Sequence, residues 1–172
     1  MTQDATTHSL AEAPDAADAE ATPWLDADQQ RWWRSFLGGS VVLNDQLDRD
    51  LRSAHDLSMG EYEILVRLSE SSCRSIRMAE LASALSHSRS RITHTIARLE
   101  RDGLVQRVQT PDDGRGVTAV LTDHGLATLE RAAHTHVRGV HDYLVAQCSR
   151  EDLETVGRVM DAVRSHLEGR RF

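Results

Sequence analysis

Apolar residues recur along this chain mostly at steps of three and four, the spacing that lines one face of a helix. Small polar residues suited to helix starts separate the runs. A first long helix is predicted from Leu25-Asp26 to about Ala54, with Trp33, Phe36, Leu37, Ser40, Asn44, Leu47 and Leu51 along one face. Gly38-Gly39 lies inside it, and because each glycine costs about 1 kcal/mol relative to alanine in a helix interior, a kink or a close backbone approach is expected there. Ser58-Met59-Gly60-Glu61 forms a capping box that opens a second helix through Ile64, Leu65 and Leu68. Met78, Leu81, Ala82 and Leu85 mark a short helix that Ser86-His87-Ser88 interrupts, and Ser88 is placed to cap a further helix from about Arg89 to Arg101.

After Gly103, a natural left-handed cap, the period changes from helical to alternating. Leu104 to Gln109 alternates apolar and polar as a half-buried strand does, with Thr118 to Thr122 as its expected partner. Pro111-Asp112-Asp113-Gly114-Arg115-Gly116 between them reads as a turn carrying one cation. Helical spacing then returns from Asp123 to about Gln147 through Leu126, Leu129, Ala133, Val137, Val140 and Leu144. A last helix starts at Ser149-Arg150-Glu151-Asp152 and carries Leu153, Val156, Met160, Val163 and Leu167 in alternating steps of three and four.

Helix, turn, helix and a two-stranded ribbon in that order predict a winged helix-turn-helix, a fold class that is mainly α with a small β-wing. On the helix from Arg89 to Arg101, Ile92, Ile96 and Leu99 fall within a narrow arc, while Ser90, His94 and Arg101 point the other way and Arg91, Thr93 and Arg98 flank them. Such a face offers hydrogen-bonding groups to base edges and cations to phosphates. Arg91 suits guanine or a phosphate. Arg98 suits either a phosphate or an internal pair with Asp112 or Asp113, and Arg115 at the turn suits a narrow minor groove.

Leu85 through Leu104, then Pro-Asp-Asp-Gly-Arg-Gly, then Val120-Leu121-Thr122-Asp123-His124-Gly125, resembles the core signature of the multiple antibiotic resistance regulator (MarR) family. The resemblance covers roughly residues 30 to 168. It implies a homodimeric repressor with a central winged domain and a helical dimerisation domain built from both chain ends. It further implies a pseudo-palindromic, inverted-repeat operator in double-stranded DNA, and release by a small aromatic or phenolic ligand or by cysteine oxidation. The family's DNA-facing positions fall on Ser88, Ser90, Arg91, Thr93, His94 and Arg98, joined here by Arg89, and its wing cation falls on Arg115. Family wings commonly read Asp-Arg-Arg, whereas this one reads Asp113-Gly114-Arg115, one arginine short. The expected division is an acidic disordered tail (1–22), an N-terminal dimerisation helix (23–57), the DNA-binding domain (58–122) and C-terminal dimerisation helices (123–172).

A formal charge of −7 and a pI near 5.7 are unusual for a DNA binder. The distribution removes most of the conflict. Residues 1–28 hold seven acids and no Lys or Arg, so the rest of the chain is neutral. Between Arg74 and Gly116 eight arginines face five acids, and binding depends on that local field. The tail has too little apolar surface to offset ordering entropy. It lacks a signal peptide's charged and apolar regions, no segment reaches the roughly 18 apolar residues of a membrane span, and a cytoplasmic location is expected.

The other candidate chemistry is sparse. Trp33 with Phe36 and Tyr62 could wall an effector pocket, with Arg34 or Arg67 holding a carboxylate; periodicity alone makes Trp33 and Phe36 ordinary core residues. Cys73, beside Arg74, and Cys148 allow a thiol switch and hence a redox-sensing regulator. His134, His136 and His141 specify no coordination geometry, so no metal and no cofactor is expected. No Gly-rich phosphate loop, Gly-x-Ser-x-Gly or His-Glu-x-x-His occurs, which argues against an enzyme. A winged protein-interaction module without specific DNA binding is the remaining alternative, against which the polar, arginine-rich helix face argues.

Overall fold

A computed structural model describes residues 22–85, 88–109 and 116–169. The chain divides into two compact units, residues 1–39 and residues 40–172.

Helix α1 runs Ala27–His55 and passes through Gly38-Gly39 without interruption. A Cβ at either glycine would meet nothing within 4 Å, so no close backbone approach is made there within the described chain. In the first unit Trp33 and Phe36 stack with ring centroids 5.9 Å apart. They are 51% and 43% exposed, which corrects the expectation that they are core residues: periodicity marks an apolar face and does not by itself bury it.

The second unit is built around one core. Helix α2 (Met59–Glu70) begins at the capping box read from the sequence: Ser58 Oγ accepts from the Glu61 N–H at 3.3 Å, and the Glu61 carboxylate accepts from the Ser58 N–H at 2.8 Å. Helix α3 (Met78–Ala84) and helix α4 (Arg89–Arg101) follow, α4 capped by Ser88, whose Oγ accepts from the Arg91 N–H at 3.2 Å. Gly103, at φ +72°, ends α4 in the left-handed region as expected. Leu51, Ile64, Leu65, Leu68, Leu81, Ile92, Ile96, Leu99 and Val105 are almost fully buried together. Each such side chain contributes about 1.5–3 kcal/mol through burial.

The sheet has three strands, not the two expected. Strands β1 (Ser75–Arg77), β2 (Val105–Gln109) and β3 (Val117–Leu121) are ordered β1-β3-β2, with both pairs antiparallel. Three residues with one apolar side chain give no readable alternation, yet they supply ladder partners to the free edge of β3, and Ile76 packs against the core. The 3₁₀ turn Ser72–Arg74 leads into β1 with Cys73 and Arg74 both at positive φ (56° and 53°), a conformation that costs a non-glycine residue about 1–2 kcal/mol. Arg74 Nη1 is held by Asp123 Oδ1 at 3.0 Å.

Helix α5 (Asp123–Tyr143) is capped by Thr122, whose Oγ1 accepts from the Gly125 N–H at 2.9 Å and lies 2.8 Å from the Gly103 carbonyl, to which it donates. The helix stops at Tyr143 and a 3₁₀ turn spans Val145–Gln147. The predicted end at Gln147 was late because the apolar spacing continues through Leu144 although its backbone (φ −124°, ψ −60°) has left the helix. The C-terminal half of α1 packs on α5, with a Cβ at Gly139 only 2.7 Å from Leu47 Cδ2 and His55 Nε2 lying 2.8 Å from Thr135 Oγ1. Helix α6 (Arg150–Glu168) opens with the expected Ser149–Asp152 capping box and buries no residue.

Candidate nucleic-acid interface

Helix α4 is fixed from beneath. Ile92, Ile96 and Leu99 are buried, and Arg89, Ser90, Arg91, Thr93, His94 and Arg101 are exposed on the other side, so the division read from the sequence holds residue by residue. Ser88 is exposed as well, but its hydroxyl is engaged as the cap. Thr93 Oγ1 donates to the Arg89 carbonyl at 2.8 Å and Thr95 Oγ1 to the Arg91 carbonyl at 2.9 Å, which fixes their rotamers and leaves the oxygens able to accept. Among the described residues no carboxylate pairs with Arg89, Arg91 or Arg101. These cations are therefore available to an external partner.

Arg98 is differently placed. Its Nε lies 3.1 Å from Glu61 Oε1, and its Nη2 donates to the Asp56 carbonyl at 3.1 Å and reaches Asp56 Oδ1 at 3.5 Å. Asp102 Oδ2 is 3.7 Å from Nε. The side chain of Glu61 is 4% exposed and that of Arg98 35%. The internal partners expected from the sequence, Asp112 and Asp113, lie outside the described residues, as do Arg115 at the turn and Ser86 and His87 between the helices. The contacts of Arg98 join α4 to the first turn of α2 through Glu61 and to the end of α1 through Asp56, which sits at φ 54°. Beside it, burial opposes ionisation of Asp48, but hydrogen bonds from Arg52 and from the Met59 N–H outweigh it and hold the carboxyl below its usual value.

Arg107, which was counted only as charge in the sequence, has a definite position at the root of the ribbon. Its Nη2 and Nε lie 2.6 and 2.8 Å from Glu100 Oε2, and its N–H donates to Glu100 Oε1 at 3.0 Å. These bonds hold the Glu100 carboxyl below the usual range. Arg107 borders an open groove of about 440 Å³ lined also by Arg77, Arg89, Thr93 and Gly116.

The remaining candidates fall elsewhere. Tyr62 is buried with its ring centroid 4.6 Å from that of His136. Burial raises the tyrosine and lowers the histidine, Glu63 opposing the latter. His136 Nδ1 is buried with no hydrogen-bond partner among the described residues. His134 and His141 line a shallow apolar groove on α5, and no group of three or more metal-ligating side chains converges among the described residues. Cys73 is exposed and Cys148 half-buried, its Sγ 3.4 Å from the Leu144 carbonyl. No helix among the described residues is long and apolar enough to cross a membrane.

A helix-turn-helix backed by a three-stranded wing, with an arginine-rich outer face, is matched by known proteins. The model of the MarR family matches residues 57–117. AbsC, a MarR family transcriptional regulator from Streptomyces coelicolor, is 40% identical with a TM-score of 0.80, the match covering 86% of this chain and 99% of that one. A second MarR family regulator from the same organism, solved in complex with DNA, is 39% identical with a TM-score of 0.80 over 84% of this chain and 94% of its own. The regulator PecS of Dickeya dadantii is 29% identical over 133 residues, 77% of this chain and 79% of PecS. With the family's model on the helix-turn-helix and a relative of 40% identity matched over nearly its whole length, the chain belongs to the MarR family of transcriptional regulators.

Proposed function

We propose that this regulator binds an inverted-repeat operator in double-stranded DNA as a homodimer, represses the adjoining gene, and is released by a small aromatic or phenolic acid. The carrying observation is the outer face of α4, where Arg89, Ser90, Arg91, Thr93 and His94 stand exposed on a helix locked by three buried residues. Of these, Arg91 is the guanine reader, since a guanidinium meets guanine O6 and N7 bidentately at roughly 1–3 kcal/mol per contact. Arg98 acts from behind the face, because its guanidinium is already committed to Glu61 and Asp56. Arg115 is the cation proposed for the minor groove.

The apolar surface supports the homodimer. Helix α6 exposes Val156, Val159, Met160, Val163 and Leu167 by 40–53%, and Trp24, Trp32, Val41 and Val42 are more exposed still. A 19-residue amphipathic helix with no fully buried residue in the described chain calls for cover, and a second copy related by a two-fold axis brings matching stripes together. The same axis would set two α4 helices about 10 base pairs apart in successive major grooves. The stacked Trp33–Phe36 pair gives a flat aromatic effector a surface to lie on.

Footprinting on DNA upstream of its own gene tests this reading. Two protected half-sites in inverted orientation, lost on adding an aromatic acid such as salicylate, are expected. Protection of a single half-site, or equal binding to unrelated DNA, would refute it.

A further inference from the structure

We infer that Thr93 reads an A·T base pair, its methyl group resting on the thymine 5-methyl and its hydroxyl oxygen accepting from the adenine amine. This rests on the DNA-binding reading above and gives α4 a second base-reading residue. Thr93 is exposed in the second turn of the helix. At 3.6 residues per turn it stands about 160° from Arg91 across the outer face, with Ser90 and His94 between them. The surroundings agree. Thr93 borders the groove shared with Met78 and Arg107, whereas Arg91 borders another, shared with Asn44 and Ser58. The two side chains flank opposite sides of one face and so address different base pairs.

What Thr93 can offer is limited by a bond it already makes. Its Oγ1 donates to the Arg89 carbonyl at 2.8 Å. A threonine hydroxyl has one hydrogen and two lone pairs, so towards an outside partner this oxygen only accepts. The same bond selects one of the two χ1 rotamers that threonine uses in a helix, and the methyl beside it is fixed with it. Guanine presents only acceptors in the major groove, N7 and O6, and gives such an oxygen nothing to bind. Cytosine presents an amine but no methyl. An A·T pair presents both, the amine on adenine N6 and the methyl on thymine, and matches both groups of the side chain. Thr95 provides an internal comparison. Its Oγ1 makes the same kind of bond, to the Arg91 carbonyl at 2.9 Å, but it is only half-exposed and borders the groove lined by α1 and α2.

The test uses duplexes that the full chain enriches from a random library, remade with uracil, which lacks only the 5-methyl, in place of thymine at one position at a time. At one A·T position in each half-site the exchange should weaken binding by the native protein about fourfold, the fold-change for one methyl group removed from water. Thr93→Val keeps the methyl and should keep the preference for thymine over uracil at that position. Thr93→Ser keeps the bond to the Arg89 carbonyl without the methyl and should bind both duplexes alike. Thr95→Ser should discriminate as the native protein does, and circular dichroism should be native-like in all three variants. Equal binding of thymine and uracil duplexes by the native protein overturns the assignment and leaves the regulator reading intact. So does a preference that Thr93→Ser retains, or one that Thr93→Val or Thr95→Ser loses. No enrichment from the library by the native protein overturns both.

Discussion

Arg98→Ala separates two roles that its position on α4 leaves open from sequence alone. Glu61 is 3% exposed and keeps two bonds when Arg98 is removed, from the Ser58 N–H at 2.8 Å and from the Ser58 hydroxyl at 2.7 Å. What it loses is the charge-assisted contact at 3.1 Å, and the Asp56 carbonyl loses its donor. Removing one partner of a fully buried pair costs about 3–5 kcal/mol. The guanidinium here is 35% exposed and Glu61 stays partly satisfied, so the expected cost is about 2 kcal/mol, the range of one hydrogen bond to a charged group. The contacts to the Asp56 and Asp102 carboxylates, at 3.5 and 3.7 Å and exposed, add little. Urea unfolding of Arg98→Ala, Glu61→Gln and the double variant gives the coupling directly. Glutamine preserves the capping-box geometry, and the coupling should reach about 1 kcal/mol. Operator affinity should fall without a change in salt slope. A stability loss below about 0.5 kcal/mol together with a slope reduced by about 0.9 per half-site would refute the positioning role and make Arg98 a phosphate contact.

Three further outcomes follow from the same structure. Gly125→Ala should cost about 2 kcal/mol or more in chemical unfolding, because its Cβ would collide with the Leu104 carbonyl, a backbone atom that cannot swing aside, and approach Leu121 Cδ1 at 2.7 Å. His136 is depressed in the folded state by burial, so it contributes stability above the ordinary histidine value of about 6.5 that is lost as pH falls below it; the native protein should lose more stability than His136→Phe between neutral and mildly acidic pH, and parallel curves would contradict this. Met160→Glu on the exposed stripe of α6 should shift sedimentation from dimer to monomer while leaving the circular dichroism of the second unit's helices in place, and an unaltered dimer would move the interface elsewhere.

What the sequence reveals about this fold follows the range of the interactions concerned. Caps at Ser58, Ser88 and Ser149 act within three residues and were readable directly. The helix Arg89–Arg101 has the boundaries its spacing predicts, because the cap, the buried Ile92, Ile96 and Leu99, and Gly103 all agree. Strand β1 was not legible, since its existence depends on the free edge of β3, far along the chain. The partner of Arg98 could not be read either: Glu61 is marked by sequence only as a capping residue, and packing alone brings α4 against it. The groove lined by Arg77, Arg89 and Arg107 draws on β1, α4 and β2, which only the tertiary fold brings together. Trp33 and Phe36 show the limit of periodicity, which marks an apolar face without saying whether the same chain covers it.

The central claim is that the outer face of α4 chooses a DNA sequence, and selection from a random duplex library by the full chain tests it most directly. Enrichment of an inverted repeat with half-sites about 10 base pairs apart, with Arg91→Ala relaxing the same position in each half-site, is the predicted result. No enrichment, or an enriched sequence that Arg91→Ala reads unchanged, would contradict it.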